Sequence, residues 1–170
     1  ARVRQIVQDL KDFSRVDEKP EWQYADLNRC IESTLNIANN ELKYKADVET
    51  LYGQLPQVQC IAPQLSQVVL NLLVNAAHSI NATRGKITVR TGGDGEEVWF
   101  EVTDTGSGIS PEVLERIFEP FYTTKPVGQG TGLGLSISYG IVQKHHGTIN
   151  VTTEVGKGTT FRVSLPTRQT

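Results

Sequence analysis

The chain has 170 residues, of which 38% are hydrophobic and 21% are charged, and its formal net charge is −2. This length and composition predict one globular domain with a sizeable core, and the small net charge argues against a nucleic acid or a charged membrane surface as partner. No stretch approaches the ~20 apolar residues of a membrane span. We expect a cytoplasmic fragment of a longer protein, and whether that longer protein is anchored in a membrane stays open. Cys30 and Cys60 lack metal-ligand spacing and are expected to be reduced thiols, unless they meet in space.

The first 19 residues are expected to be separate from the domain that follows. Apolar residues at Val3, Ile6, Leu10 and Phe13 predict a single stripe along a helix. That stripe fits either the seam of a helical hairpin or a helix packed on its own domain. The polar stretch that ends at Pro20 then predicts a linker.

After the linker, helical and strand-like patterns alternate along the chain. Strands are predicted at 22–25, 48–51, 58–60, 86–91, 97–103, 148–153 and 159–165, and helices at 27–42, 63–81, about 111–116 and 135–145. The glycine-rich stretch 92–95 predicts a hairpin between two of these strands. Together these elements predict an α+β fold, a two-layer α/β sandwich with one mixed, mostly antiparallel sheet and helices on one face.

The strongest predicted helix, 63–81, carries a polar stripe. Gln67, Asn71 and Asn75 are spaced four apart, and His78 follows on the same side, opposite the apolar residues of the helix. Carboxamides lined up in this way can coordinate a hard cation and phosphate oxygens. Taken alone, the stripe fits a solvated polar face better.

Asp104 ends a predicted strand and begins the stretch Asp-Thr-Gly-Ser-Gly. Gly106 and Gly108 permit tight turns and a close approach of the backbone. A buried carboxylate at the strand end can accept a hydrogen bond from a neutral amino group such as that of adenine. Taken alone, a plain turn explains this stretch better.

A second glycine-rich stretch, 128–134, runs directly into the predicted helix 135–145. Its backbone amides, together with the helix N-terminus, suit phosphate groups, although the stretch is neither a Walker loop nor a Rossmann fingerprint. Between the two glycine stretches lie Phe118, Phe121 and Tyr122, which need burial over a ligand or against a partner. Lys125 fits a terminal phosphate or a solvated side chain.

In this order, the carboxamide helix, the Asp-x-Gly-x-Gly stretch, the aromatic segment and the second glycine stretch resemble the N box, first glycine box, F box and second glycine box of histidine protein kinases. The resemblance covers about residue 20 to the end. It implies a Bergerat-type catalytic ATP-binding domain at 20–170, preceded at 1–19 by the end of a dimerisation-hairpin helix and a linker. It further implies ATP and Mg²⁺ as cofactors and transfer of the γ-phosphoryl group to a histidine on the separate dimerisation domain. A response regulator receiver domain as partner and a homodimeric full-length protein are also implied.

The resemblance also assigns roles to individual residues. Asn75 would hold Mg²⁺ with Asn71 beside it, Asp104 would bind the adenine amine, and Phe118 and Phe121 would anchor a lid. The implied ATP-binding residues are Asn71, Asn75, His78, Asp104, Gly106, Gly108, Phe118, Phe121, Lys125, Gly130, Thr131, Gly132, Leu133, Gly134 and Thr160. None of them is a convincing nucleophile or base, and the phospho-accepting histidine would belong to the missing part of the hairpin.

The chain departs from the family pattern at two positions. His78 stands where many relatives carry lysine, and Thr123 stands where other branches carry arginine, for which Lys125 can substitute. Thr159 is the alternative to Thr160 on the adenine side.

Two other functions stay open. The first is a nucleotide-switched ATPase of the gyrase or chaperone type. A catalytic glutamate one turn before Asn75 would favour this function, but this chain has Asn71 there, which favours the kinase. A non-catalytic partner-binding module of the same superfamily would have no need of intact asparagines and glycines.

Overall fold

The computed structural model describes residues 21–81, 83–120, 122 and 134–169. Its strands are β1 (Gln23–Ala25), β2 (Ala46–Leu51), β3 (Val58–Cys60), β4 (Gly85–Gly93), β5 (Glu97–Asp104), β6 (Thr148–Glu154) and β7 (Gly158–Pro166). Its helices are α1 (Leu27–Leu42), α2 (Ala62–Ser79), α3 (Pro111–Leu114) and α4 (Gly134–Lys144). The helix and linker predicted at 1–19 lie outside the described residues.

The main sheet, as far as the chain is described, has five strands in the order β2-β4-β5-β7-β6. β2 and β4 run parallel, and the other neighbouring pairs are antiparallel. β1 and β3 pair with each other in a separate antiparallel ladder. The prediction of a mixed, mostly antiparallel sheet is confirmed.

The central strands bury one face of the sheet. Alternate residues of β5 and β7 are at most 2% exposed, namely Val98, Phe100, Val102, Phe161, Val163 and Leu165. Residues between them lie on the opposite face, where the Arg162 guanidinium stacks 4.1 Å from the centre of the Trp99 ring. Because side chains alternate along a strand, this pattern means that helices cover one side. α1, α2 and α4 form that layer.

Capping, proline and backbone conformation explain where α1 and α2 begin and where α2 ends. The Asp26 carboxylate caps α1 by accepting hydrogen bonds from the backbone N–H groups of Asn28 and Arg29. α2 has a proline in its first turn, as its sequence predicts. It ends at Ser79, two residues earlier than predicted, because Ile80 adopts an extended conformation that leads towards β4.

The two cysteines are free thiols, as predicted. Burial raises the pKa of both thiols, to about 11 for Cys60. Both therefore stay protonated at neutral pH and act as packing groups.

α4 lies along α2 in the antiparallel sense. At its first residue, Gly134 O accepts a hydrogen bond from Asn71 Nδ2 at 3.0 Å. Just after its last residue, His145 Nε2 accepts the backbone N–H of Ile61, which directly precedes α2, at 3.0 Å. The helix pair is therefore hydrogen-bonded at both ends, and the candidate site is built along it.

Candidate functional site

Asp104 lies at the end of β5, close to the C-terminal end of α2. It is 3% exposed, and its Oδ1 accepts the backbone N–H of Gly106 at 2.8 Å. Burial raises the pKa of the Asp104 carboxyl, and hydrogen bonding by Gly106, Ser79 and the Thr159 backbone opposes that shift. A desolvated carboxylate in this position is a strong acceptor for a neutral amino group.

The first glycine stretch is wedged between α2 and the end of β6. A Cβ atom on Gly106 would overlap the side chain and carbonyl of Ser79, and a Cβ atom on Gly108 would overlap the β6 backbone. Gly108 also has a φ of +75°, in the left-handed region that favours glycine. The N–H of Ser107 donates to Ser79 O at 3.0 Å. Close backbone contacts, rather than a plain turn, therefore require these glycines.

Thr159 shares the face of the sheet on which Asp104 lies. The two residues are direct partners between β5 and β7, and both are buried. Thr160 comes one residue later, so its side chain points to the opposite face, where its hydroxyl lies 2.9 Å from that of Thr103. Of the two predicted residues, Thr159 is thus the one that lies beside Asp104, and which of them borders a bound base stays a prediction.

Gly158 adjoins Asp104 and is not among the site residues predicted from the sequence. Its φ is +136°, and a Cβ atom there would overlap the carbonyl of Asp104. The Thr153 hydroxyl donates to Gly158 O at 3.1 Å and accepts the N–H of Ile109 at 2.9 Å. Through these two hydrogen bonds, the Thr153 hydroxyl links the turn between β6 and β7 with the first glycine stretch. In the sequence, the glycine-lysine-glycine stretch 156–158 indicates only a turn, and the contact of Gly158 with Asp104 follows from the strand register.

The polar stripe of α2 faces the beginning of α4. Asn71 Nδ2 donates to Gly134 O and, at 3.2 Å, to Ser138 Oγ, while Asn71 Oδ1 accepts from Gln67 Nε2 at 2.9 Å. Asn75 lies one turn further along and is partly buried, and its amide makes no hydrogen bond within the described part of the chain. A solvated polar face does not fit this arrangement, because Asn71 is bonded to α4.

Asn75 fits the role of magnesium ligand by its chemistry. Mg²⁺ prefers oxygen ligands, keeps several of its waters and is usually bound through one or two side chains together with substrate phosphates. The residues that the structure describes include no group of three His, Cys, Asp or Glu that could hold a metal ion. The carbonyl oxygen of Asn75 is a ligand of the kind that Mg²⁺ prefers. His78, partly buried, follows on the same side of α2.

Phe118 lies where the aromatic segment meets α4. Its ring centroid is 5.2 Å from that of Tyr139, and it packs partly buried against the core. Tyr122 lies under the Arg116 guanidinium, 4.4 Å from its ring centre. The predicted site residues Phe121, Lys125, Gly130, Thr131, Gly132 and Leu133 lie outside the described residues.

The two halves of the site lie at different heights along α2. Asp104 is next to Ser79, whereas α4 begins next to Asn71, eight residues earlier. At 1.5 Å per residue, this separates the two halves by about 12 Å along the helix axis. The arrangement places a buried acceptor, Asp104, at one end, and the Asn75 carboxamide, without a hydrogen bond to any described residue, towards the end where α4 begins.

The sequence model of the histidine kinase-, DNA gyrase B- and HSP90-like ATPase family matches residues 60–169. The chain belongs to this family. It is 48% identical to the sensor kinase CckA of Brucella abortus (strain 2308), over 97% of the chain and 19% of that relative. It is 38% identical to the sensor histidine kinase ZraS of Escherichia coli (strain K12), over 97% of the chain and 35% of that relative.

Solved structures of sensor kinases share the fold. Full-length ShkA in complex with AMPPNP superposes with a TM-score of 0.84 at 26% identity, over 98% of this chain and 36% of ShkA. The catalytic domain of the histidine kinase ThkA in a nucleotide-free form gives 0.77 at 29% identity, over 86% of this chain and 96% of that domain. The Bergerat-type fold is confirmed, and the chain is a catalytic ATP-binding domain of the sensor histidine kinase type.

The chain spans only about a fifth of CckA and about a third of ZraS and ShkA. Each of these proteins therefore has further segments that this chain does not match. Within the described ranges, none of the helices is long and apolar enough to cross a membrane.

Proposed function

We propose that this chain binds ATP together with Mg²⁺ and presents the γ-phosphoryl group to a histidine on a separate dimerisation domain. The observation that carries the proposal is the placement, beside one helix, of a buried acceptor at Asp104 and of the Asn75 carboxamide, which makes no hydrogen bond within the described residues. An extended nucleoside triphosphate requires both, because its base and its phosphates are recognised at opposite ends. Family membership and the AMPPNP complex of ShkA support the nucleotide class.

At the base end, Asp104 would accept a hydrogen bond from the amine of adenine. Guanine presents a carbonyl oxygen at the same position, so a carboxylate would repel it rather than pair with it. Gly106, Gly108 and Gly158 let the backbone pack closely against Ser79, the end of β6 and the Asp104 carbonyl, which fixes the backbone around the Asp104 end of the site. Thr159 replaces Thr160 as the proposed neighbour of the base.

At the phosphate end, Asn75 would offer a carbonyl oxygen to Mg²⁺, and the N-terminus of α4 at Gly134 would offer backbone N–H groups to phosphate oxygens. When bound, Mg²⁺ supplies charge neutralisation and a bridge between phosphate oxygens. His78 and the six predicted residues outside the described ranges belong to the same proposal. Such a site works by positioning and electrostatics and needs no nucleophile of its own.

The acceptor histidine would come from another domain. His145 is unsuitable, because it is 1% exposed and both of its ring nitrogens are within hydrogen-bonding distance of the backbone. As the resemblance to histidine kinases implies, the parent protein would be a homodimer that passes the phosphoryl group to a response regulator receiver domain; the relatives named as sensor kinases support the kinase part of this proposal. Residues 1–19 would form the end of the hairpin helix and a linker, and the domain would lie in the cytoplasm.

Labelled ATP tests the phosphoryl transfer. The chain alone, incubated with labelled ATP and Mg²⁺, should acquire no label, and adding the hairpin domain of its parent protein should give acid-labile label on that domain. A hairpin with its acceptor histidine changed to glutamine is the matched control and should stay unlabelled. Acid-labile phosphate on His78, His145 or His146 would contradict the proposal, as would ATP hydrolysis without any transfer.

The rival ATPase switch is disfavoured by the contacts of Asn71. A hydrolytic base at this position must accept a proton, whereas Asn71 Nδ2 donates towards Gly134 O and Ser138 Oγ. A carboxylate in its place would face the carbonyl of Gly134 without a proton to share. The position is therefore suited to a donor and not to a base.

A further inference from the structure

We infer that Asn71 is a positioning residue, which acts with Ser138 and Gln67 to hold the beginning of α4 at a set distance from Asn75. This inference rests on the proposed function, because it concerns the phosphate half of the same site. It differs from the role that the family resemblance assigns, in which Asn71 stands beside the metal ligand as part of the nucleotide contacts.

The orientation of the Asn71 amide is determined by its partners. Gly134 O is a backbone carbonyl and can only accept, so the nitrogen of Asn71 must face α4. The same nitrogen lies 3.2 Å from Ser138 Oγ, and the Ser138 hydroxyl donates in turn to Gly134 O at 2.9 Å. Because the two acceptors lie that close together, they share one hydrogen of the Asn71 amide. On the other side, the Gln67 amide donates to Asn71 Oδ1. Both the nitrogen and the oxygen of the Asn71 amide are therefore hydrogen-bonded within the protein.

The contacts of Asn71 lie between Asn75 and the beginning of α4. Gly134 is the first residue of α4, and Ser138, one turn later, is 0% exposed. On α2, Asn75 lies one turn beyond Asn71, on the same side. The Asn71 contacts therefore connect the two features that phosphates would meet, the Asn75 carbonyl oxygen and the N-terminal amides of α4.

A ligand that contacts both features at once depends on their separation. Loosening the connection should weaken the part of the affinity that requires metal and phosphates, while the contacts to the base at Asp104 stay intact. The relevant quantity is the ratio of AMPPNP affinities measured with Mg²⁺ and with EDTA. A general loss of stability would not change this ratio in the protein that stays folded.

Ser138→Ala is the decisive variant, because Ser138 is fully buried and cannot contact the nucleotide. We expect its magnesium-dependent affinity ratio for AMPPNP to fall about two- to tenfold, the range that one hydrogen bond represents. Calorimetric titration of AMPPNP measures both affinities. Thr34→Val is the matched control: Thr34 is a buried helix residue on α1 whose hydroxyl also donates to the carbonyl four residues earlier, at 2.8 Å. Its ratio should equal that of the unchanged chain.

A double-mutant cycle separates positioning from direct contact. If Asn71 acts through Ser138, then Asn71→Ala combined with Ser138→Ala should lower the ratio no further than Asn71→Ala alone. Should Ser138→Ala fail to fold, Gln67→Met removes the donor to Asn71 Oδ1 from a partly exposed position and should lower the ratio in the same direction.

The outcomes are distinguishable. An unchanged ratio in Ser138→Ala, or additive effects of the two substitutions, would overturn the inference and leave Asn71 as a direct ligand contact. If the unchanged chain binds no AMPPNP under either condition, the proposed function fails, and the inference fails with it.

Discussion

Asp104 and His145 are both buried ionisable residues, but the protein satisfies the hydrogen-bonding groups of His145 more completely than those of Asp104. His145 is 1% exposed, its Nε2 accepts the Ile61 N–H, and its Nδ1 lies 2.8 Å from Ile141 O. Because the Ile61 amide can only donate, Nδ1 must carry the ring proton and donate to Ile141 O. Burial lowers the pKa of His145, so the neutral ring is the form that the protein both favours and fully satisfies.

Asp104 is almost as buried, but its environment disfavours the charge that it carries at neutral pH. Burial raises the pKa of its carboxyl more than the surrounding hydrogen bonds lower it. A carboxylate has about four lone-pair positions, and backbone hydrogen bonds from Gly106, at 2.8 Å, and from Thr159 leave some of them for a ligand. This difference indicates a structural role for His145 and a binding role for Asp104. Both ring nitrogens of His145 are satisfied by the protein, whereas burial of the Asp104 carboxylate is unfavourable and a hydrogen bond from a ligand can offset it.

The largest expected effect is the loss of stability in His145→Ala. The substitution leaves the Ile61 N–H and the Ile141 carbonyl without their partner and removes a ring that packs 4.9 Å from that of Trp22. We expect the free energy of unfolding to fall by about 3–4 kcal/mol, from unpaired backbone groups and a cavity. Urea denaturation measures this, and nucleotide affinity of the folded variant should change little.

The neighbouring histidine supplies the control for this prediction. His146 is exposed and has a φ of +58°, a conformation that asparagine tolerates. His146→Asn should change the free energy of unfolding by no more than about 0.5 kcal/mol. Equal urea midpoints for the two variants would show that His145 is no more structural than its neighbour.

The second effect is on nucleotide binding, in Asp104→Asn. Asparagine has one acceptor oxygen where aspartate has two, so it cannot accept from both the Gly106 amide and adenine with equal geometry. We expect ATP affinity to fall by about 1.5–3 kcal/mol, or roughly ten- to a hundredfold, with the preference for ATP over GTP reduced. Calorimetry with both nucleotides measures this. Unchanged affinity and preference would remove Asp104 from the base site.

The same variant should be more stable than the unchanged chain at neutral pH. The pKa of Asp104 is raised by folding, so its charged form costs stability at high pH and protonation relieves that cost as the pH falls. The advantage of Asp104→Asn should therefore shrink as the pH decreases through the raised pKa. Asp94→Asn is the control of opposite sign, because backbone hydrogen bonds from Glu96 and Glu97 lower the pKa of the exposed Asp94.

Most of the fold was predictable because its signals are local. The stripe of α2 and the alternation along β5 lie within single segments, and each helix or strand that the structure describes was placed within a few residues. The faces of strands were harder, because a shift of one residue reverses every side chain. The resemblance implies Thr160 on the adenine side, whereas the pairing of β5 with β7 brings its alternative, Thr159, next to Asp104.

The contacts that build the site join distant parts of the sequence. Asn71 and Ser138 are 67 residues apart, and Ile61 and His145 are 84 apart. Local signals could suggest a polar stripe at Asn71 and a helix end at His145, but not what each side chain meets. Family motifs indicated Asp104 and Asn75 as site residues. How α2 and α4 position these two residues could be read only from the structure.

The smallest expected effect is the pH dependence contributed by His145, and its sign follows from the pKa. An unfolded histidine titrates near 6.5, and burial first, then Lys144 and His146, lower the pKa of His145 in the folded chain. The folded state therefore binds fewer protons, and the stability that His145 contributes is present above pH 6.5 and lost as the pH falls below it. One such group contributes at most about 1.4 kcal/mol per pH unit.

Asp104 acts in the opposite sense at lower pH, so the contribution of His145 must be isolated by difference. Urea midpoints between pH 8 and pH 5.5 would be compared for the unchanged chain and for His145→Gln, which keeps a neutral polar side chain that does not titrate. The unchanged chain should lose stability more steeply below pH 6.5, and the two curves should run parallel above it. Parallel curves over the whole range would mean that His145 is not held neutral by its backbone partners. Its contrast with Asp104 would then rest on burial alone.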